Sequence, residues 1–282
     1  MRQQTIHLTD LQNTPETRNE ILIKREGFVE YVGIPLIVKG QIKGVFEVFH
    51  RSALSPTPDW MDFLHTLAGQ AAIAIDNSHL FENLQRSNQE LMQAYDTTLE
   101  GWARALELRD RETEGHTRRV TELTLRLARY MGIKDSELVN IRRGVLLHDI
   151  GKMGVPDNIL KKTGPLSDSE WDEMRQHPVY AYNLLAPIEY LRDALEIPYC
   201  HHEHWDGSGY PRGLKGNQIP LSARIFSIID IWDALLSDRT YRKAWTADRV
   251  TAYLKEIAGT HIDPNILPIF FKMIEETEST TG

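Results

Sequence analysis

Leu146-Leu147-His148-Asp149-Ile150-Gly151-Lys152 decides how this chain is read. An apolar run ends in an adjacent imidazole and carboxylate, and a glycine and a lysine follow at once. A second adjacent pair, His201-His202, lies downstream, with His116, His177 and Asp230 around them. Imidazole nitrogens and carboxylate oxygens without a cysteine framework suit divalent first-row ions such as Fe, Mn, Zn or Ni. Two such ions close together form a clamp for phosphoester hydrolysis.

Each of these residues also has an ordinary explanation. Glu112 and His116 stand four apart at the start of a helix, on one face, as many surface pairs do. A buried His148-Asp149 pair can be purely structural. His177 precedes Pro178, where a histidine can act as a capping cation. On a helix, His201 and His202 diverge by about 100°, so they can serve different metals, or a metal and a substrate. Asp230 interrupts the apolar run Ile228-Ile229-Asp230-Ile231-Trp232, where a carboxylate costs free energy unless it is paired or metal-bound. A metal centre accounts for all of them together.

The rest of the composition bounds the function. The chain has 282 residues, enough for one large domain or two smaller ones, and 41% are apolar, enough for a sizeable core. A formal charge of −8 argues against non-specific binding to a nucleic-acid backbone. It leaves room for a small phosphorylated ligand where cations converge locally. Cys200 is the single cysteine, so no intrachain disulfide forms, which is compatible with a reducing compartment. The N-terminus has no apolar h-region, and no stretch approaches the roughly 18 apolar residues of a membrane span. A soluble, cytoplasmic protein is the expectation.

Along the chain, residues 1 to 27 are polar and weakly patterned. Phe28 to Val38 and Ile42 to His50 alternate as strands around a turn at Lys39-Gly40-Gln41 and predict an antiparallel hairpin. Asp59 is the candidate cap of a helix that meets no proline from Trp60 to about Asp110. Leu64, Leu67, Ala71, Ile75 and Leu80 fall at helical spacing. Leu84, Leu91 and Leu99 are loosely heptad-like, the spacing of a weak coiled coil or of a solvated connecting helix. From residue 99 onward amphipathic helices alternate with short Gly/Pro loops. Their apolar faces are Val120-Leu123-Leu127-Ala128, Leu138-Ile141-Val145-Leu146 and Ile225-Ile228-Ile229-Trp232-Leu235. The long Gly-rich loop from Trp205 to Pro220 has the character of a functional loop.

Residues 99 to 275 resemble the HD-GYP family, a branch of the HD-domain metal phosphohydrolases. The matching text is His148-Asp149-Ile150-Gly151-Lys152, Pro156-Asp157, His177-Pro178, His201-His202-Glu203, Asp206-Gly207-Ser208-Gly209-Tyr210-Pro211, Gly213-Leu214, Asp230-Ile231-Trp232-Asp233-Ala234-Leu235, Arg239 and Tyr241-Arg242. One departure is Ala181, where the family pattern has glycine. The resemblance implies an all-helical bundle that holds two or three metal ions, iron or manganese, and hydrolyses cyclic di-GMP to pGpG or GMP. It implies His116, His148, Asp149, His177, His201, His202 and Asp230 as ligands, with Asp149 bridging two ions and Glu112 helping to hold a third. Lys152 resembles the lysine that contacts substrate phosphate. Arg239 and Arg242 resemble substrate-binding cations, and Tyr210 and Pro211 belong to the loop that names the family. Metals neutralise the phosphodiester and lower the pKa of bound water, so that a metal-held hydroxide attacks phosphorus while Lys152 stabilises charge.

Gly33-Ile34-Pro35-Leu36, Gly44-Val45-Phe46-Glu47-Val48 and Ala71-Ala72-Ile73-Ala74-Ile75 look like the C-terminal half of a GAF sensor domain. The expected organisation is a small α+β GAF-like remnant over 1–82, which senses or dimerises, a helical linker over 83–98, and the phosphodiesterase over 99–282. Homodimerisation through the N-terminal region and linker, and contact with signalling proteins, go with that organisation. The readings that compete are a phosphodiesterase for another cyclic dinucleotide or nucleotide phosphate, and an adaptor that binds cyclic di-GMP without turnover.

Overall fold

The computed structural model describes residues 3–13, 20–110, 115–238 and 243–281. Glu112, Arg239, Tyr241 and Arg242, all singled out from the sequence, lie outside the described residues. The chain divides into two compact units, residues 1–92 and 93–282. It is mainly helical, with one small sheet near the N-terminus.

In the first unit the expected hairpin forms from β2 (Glu30–Val38) and β3 (Gln41–His50), paired antiparallel. Its two-residue turn places Lys39 at φ 51° and Gly40 at φ 77°. Positive φ at both central positions gives a turn whose twist matches that of the strands. A third strand, β1 (Ile6–Leu8), pairs with the other edge of β2, and a short helix, α1 (Glu20–Glu26), follows. Residues 1–27 had shown no such pattern. Three residues are too few to carry periodicity, and β1 exists because β2 offers an edge to pair with.

Helix α2 runs from Pro58 to Asp110. The Thr57 hydroxyl accepts from the Trp60 amide at 3.3 Å, so Thr57 holds the cap position expected of Asp59, with Pro58 in the first helical position. Leu64, Ala68 and Ala72 bury against Val32, Ile34 and Leu36 of the sheet. Leu67 and Leu80, expected on that face, are exposed; sixteen residues past Leu64, Leu80 has turned about 160° around the helix. Leu84 and Leu91 are also exposed, whereas Leu99 is 4% exposed and packs in the second unit with Leu147, Ile150, Ala181 and Leu185. The three leucines therefore do not form one seam. At 3.6 residues per turn, seven residues return to within about 20°, but eight rotate about 80° past it.

The second unit is built from the end of α2 with α3 (His116–Tyr130), α4 (Asp135–Leu146), α5 (Asp157–Leu160), α6 (Asp168–Met174), α7 (His177–Leu185), α8 (Glu196–Cys200), α9 (Leu221–Leu236), α10 (Ala247–Glu256) and α11 (Leu267–Thr281). Val120, Leu127, Leu138, Ile141, Val145, Ile225, Ile228 and Ile229 join Leu254 and Phe270 in one core, so the three apolar faces read from the sequence meet. A 3₁₀ turn, Ile150–Gly154, lies against α7. A Cβ on Gly151 would collide with the His177 carbonyl and the Ala181 amide, so glycine is what lets α7 come so close. Ala181 stands where the family pattern has glycine, and its methyl is fully buried in this contact.

Candidate metal centre

Five different segments deliver the side chains. His116 is the first residue of α3, after Gly115 at φ 75°. His148 and Asp149 link the end of α4 to the 3₁₀ turn. His177 opens α7, and Pro178 is tolerated there because that amide would have no helical partner. His201 and His202 follow the last residue of α8. Asp230 sits within α9.

These residues converge into two groups whose ligand atoms lie within 4.8 Å of one another: Asp149, His177, His201 and His202, and then His116, His148 and Asp230. Asp149 touches both. Its Oδ1 lies 3.3 Å from His177 Nε2 and 3.6 Å from His201 Nε2, and its Oδ2 lies 3.1 Å from His148 Nε2. His201 and His202 do not diverge as a helical pair would. They lie beyond the helix end, with ring centroids 4.1 Å apart, and both face the Asp149–His177 group.

The tautomers can be read from the partners. His148 Nδ1 faces Val145 O at 2.8 Å, His177 Nδ1 faces Met174 O at 2.8 Å, and His201 Nδ1 faces Ile197 O at 3.0 Å. A carbonyl only accepts, so each Nδ1 carries a proton and each ring turns its Nε2 toward the other members of the cluster. His177 Nε2 and His201 Nε2 are 3.3 Å apart. That spacing brings two imidazole nitrogens into position to share one cation. His116 Nδ1 lies 2.7 Å from Asp233 Oδ2, the carboxylate–histidine arrangement that orients a metal ligand. The donor set and its outer partners thus fit divalent metal ions.

Charge follows the same plan. Burial holds His177 down at about 4, and burial with His201 and His177 nearby holds His202 well below the usual range. His177 is no capping cation: it stands at a helix N-terminus, where the dipole disfavours positive charge. Burial pushes against ionised Asp149, yet Lys152 and His148 keep its carboxyl well below normal. Asp230 is held down by His116 against burial in the same way.

Lys152 Nζ lies 2.7 Å from Asp149 Oδ2 and 2.6 Å from Asp110 Oδ2. Neighbouring Arg109 donates to Asp157 Oδ1 at 2.9 Å, to Lys152 O at 3.0 Å and to Val155 O at 2.9 Å. The end of α2 thereby clamps the turn that carries the lysine. Sequence reading missed Arg109 and Asp110, although both stand in the run that leads to His116. It also missed two supports. Asp233 accepts from Arg119 Nε at 2.7 Å while it orients His116, and these bonds bring its carboxyl down to about 2 against burial. Buried Glu203 accepts the Arg212 and Leu214 amides, each at 2.8 Å, and ties down the Gly-rich loop. On that loop, Tyr210 stacks on His202 at 4.8 Å, its amide donates to His202 O at 3.1 Å, and Pro211 follows. Its position one turn past Asp230 on the helix face was the available signal for Asp233.

A stability measurement tests the neutral His177. In metal-free protein the unfolded chain takes up a proton near pH 6.5, whereas folded His177 resists it down to about 4. Stability from this group is therefore present above 6.5 and lost as pH falls from 6.5 toward 4, by about 1.4 kcal/mol per pH unit. His148 is shifted up by Asp149 although burial opposes this, and it acts with the opposite sign. Urea unfolding of chelator-treated protein at pH 6.5 and pH 5 should show a smaller loss in His177→Asn than in wild type. Equal losses would refute the assignment.

Comparison with known proteins agrees with this geometry. Residues 100–266 match the HD domain model, and residues 1–76 match the GAF domain model. The chain is similar to the 3′3′-cGAMP-specific phosphodiesterase 2 of Vibrio cholerae serotype O1, at 36% identity over 72% of this chain and 38% of that protein. It is similar to the cyclic di-GMP phosphodiesterase response regulator RpfG of Xanthomonas campestris pv. campestris, at 37% identity over 72% of this chain and 54% of that one. The fold is similar to the crystal structure of a cyclic GMP-AMP-specific phosphodiesterase of Vibrio cholerae, V-cGAP3, with a TM-score of 0.51 at 16% identity over 63% of this chain and 48% of that one. The chain thus spans about half or less of the length of these relatives.

Proposed function

This chain belongs to the HD domain family, and we propose that it hydrolyses the phosphodiester bonds of cyclic di-GMP to pGpG, GMP or both, with iron or manganese as its metal. The observation that carries this proposal is the pair of imidazole–carboxylate groups joined through Asp149. His177, His201 and His202 are the ligands on one side of Asp149, and His116, His148 and Asp230 those on the other. Nitrogen and oxygen donors alone favour iron or manganese over a thiolate-bound metal, and burial pushes the lone Cys200 thiol up to about 11. When bound, the ions neutralise phosphate charge and lower the pKa of water. Asp149 supplies the negative charge that holds both groups together. Lys152, fixed by Asp110, presents its ammonium beside them to a phosphate oxygen. Tyr210, stacked on His202, and Pro211 after it would meet the substrate, and Arg239 and Arg242 are proposed as further cations for it.

A substrate panel with metal-analysed protein, read by product chromatography, tests the proposal. Cyclic di-GMP should be hydrolysed faster than cyclic di-AMP or a nucleoside monophosphate. A preference for 3′3′-cGAMP would select a second reading, which similarity to the V. cholerae enzyme favours. Binding of cyclic di-GMP without turnover would leave an adaptor.

Glu112 is proposed to help hold a third ion. Glu112→Ala should lower the metal content by one ion per chain and weaken turnover. An unchanged content returns Glu112 to a surface contact.

The organisation proposed is a sensor-like or dimerising region over 1–82, a linker over 83–98 and the hydrolase over 99–282. Exposed Leu84 and Leu91, 68% and 49% accessible, support a parallel homodimer through α2, a state in which signalling partners can act on the N-terminal region. A monomer by light scattering at high micromolar concentration would defeat the dimer. No described helix is long and apolar enough to cross a membrane. A cytoplasmic site of action is part of the proposal and agrees with a chain that cannot form an internal disulfide.

A further inference from the structure

Outside the metal ligands, a row of rings and one guanidinium leads away from His202. Tyr210 lies on His202 with centroids 4.8 Å apart and planes 23° from parallel. The Arg175 guanidinium carbon lies 5.8 Å from the Tyr210 ring centroid and 5.8 Å from the Trp171 ring centroid. Trp171 and Arg175 are four apart on α6 and its C-cap, so they share a face. Both are well exposed, at 45% for Trp171 and 53% for the Arg175 side chain.

A tryptophan and an arginine four apart could be an ordinary surface pair. Two observations separate this pair from that case. Tyr210 reaches Arg175 from a different segment, the Gly-rich loop, and itself stacks on His202 of the candidate metal centre. The carboxylate contact of Arg175 is also weak, 4.0 Å to Asp172, whereas Arg109 and Arg119 are held at 2.9 and 2.7 Å by Asp157 and Asp233. Its planar face is therefore available for stacking.

We infer that Trp171 and Arg175 form a platform on which a purine base of the substrate stacks while its phosphodiester lies over the metal ligands. This deepens the proposed function and rests on its claim that the site takes a nucleotide phosphodiester. An indole and a guanidinium plane offer the base π and cation–π contacts that do not depend on hydrogen bonding. That chemistry selects for a purine without discriminating strongly between guanine and adenine.

Equilibrium binding separates the platform from the metal centre. Manganese-loaded protein is titrated calorimetrically with GMP and, separately, with inorganic phosphate, which carries no base. Trp171→Ala and Arg175→Ala should each weaken GMP about tenfold or more, while phosphate affinity changes less than about twofold. Trp171→Phe, which keeps a stacking face and guards against a folding defect, should stay within about threefold of wild type for GMP. Unchanged GMP binding in both alanine variants, equal losses for GMP and phosphate, or no measurable GMP binding by wild type would each overturn the platform. Turnover of cyclic dinucleotides by the same wild-type preparation is scored separately. Its absence alongside base-selective GMP binding would sink the proposed activity and leave the platform standing.

Discussion

Asp149→Ala should reduce turnover of cyclic di-GMP by about a thousandfold or more, a rise of roughly 4 kcal/mol in the barrier. The reason is geometric. Asp149 Oδ1 serves the His177 and His201 side and Oδ2 serves the His148 side. Among the described residues, no other carboxylate belongs to the His177–His201–His202 group. Removing Asp149 leaves that group with imidazoles alone and takes from Lys152 one of its anchors. Elemental analysis should find less than one ion per chain after reconstitution. Asp149→Asn, close to isosteric, should behave similarly if charge is what matters. More than a few per cent of residual activity with a full metal complement would show that the bridge is misassigned.

Lys152→Ala should lower kcat about tenfold to a hundredfold with KM near wild type, because charge-assisted hydrogen bonds contribute roughly 1.5–3 kcal/mol. A cation that meets charge developing on a phosphate oxygen acts on the transition state. Asp110→Ala keeps the lysine but removes its 2.6 Å partner. It should lower kcat about threefold to tenfold, as loss of one positioning contact of about 1 kcal/mol does. Arg239→Ala and Arg242→Ala should instead raise KM, because contacts to the non-reacting half stabilise ground and transition states alike. Steady-state kinetics with metal content measured in each variant checks the set. A rise in KM without loss of kcat in Lys152→Ala would move the lysine from the reacting phosphate to ground-state binding.

Much of the site was legible before any coordinates, for particular reasons. His148-Asp149 and His201-His202 are adjacent in the chain, and Asp230 interrupts an apolar helix, so each stands out locally. The hairpin was legible because period-two alternation over nine and ten residues is long enough to register. The supporting residues leave no such trace. Asp233 orients His116 across 117 positions, and Arg109 clamps backbone carbonyls 43 and 46 positions away. β1 is three residues long and owes its conformation to the edge it pairs with.

The sequence by itself determined which donors are present, the helical periodicity that buries them, and that no more than one thiol, Cys200, is there to compete. Only the tertiary structure decided how those donors are grouped. It carried His201 and His202 past the helix end so that both face Asp149, and it turned Leu99 into the second core while Leu84 and Leu91 stay outside. It also set Arg175 between Trp171 and Tyr210. Local patterns report what the backbone does over a few residues. Which side chains then meet depends on the packing of segments far apart in the chain, where a single glycine, Gly151, sets how near α7 can come.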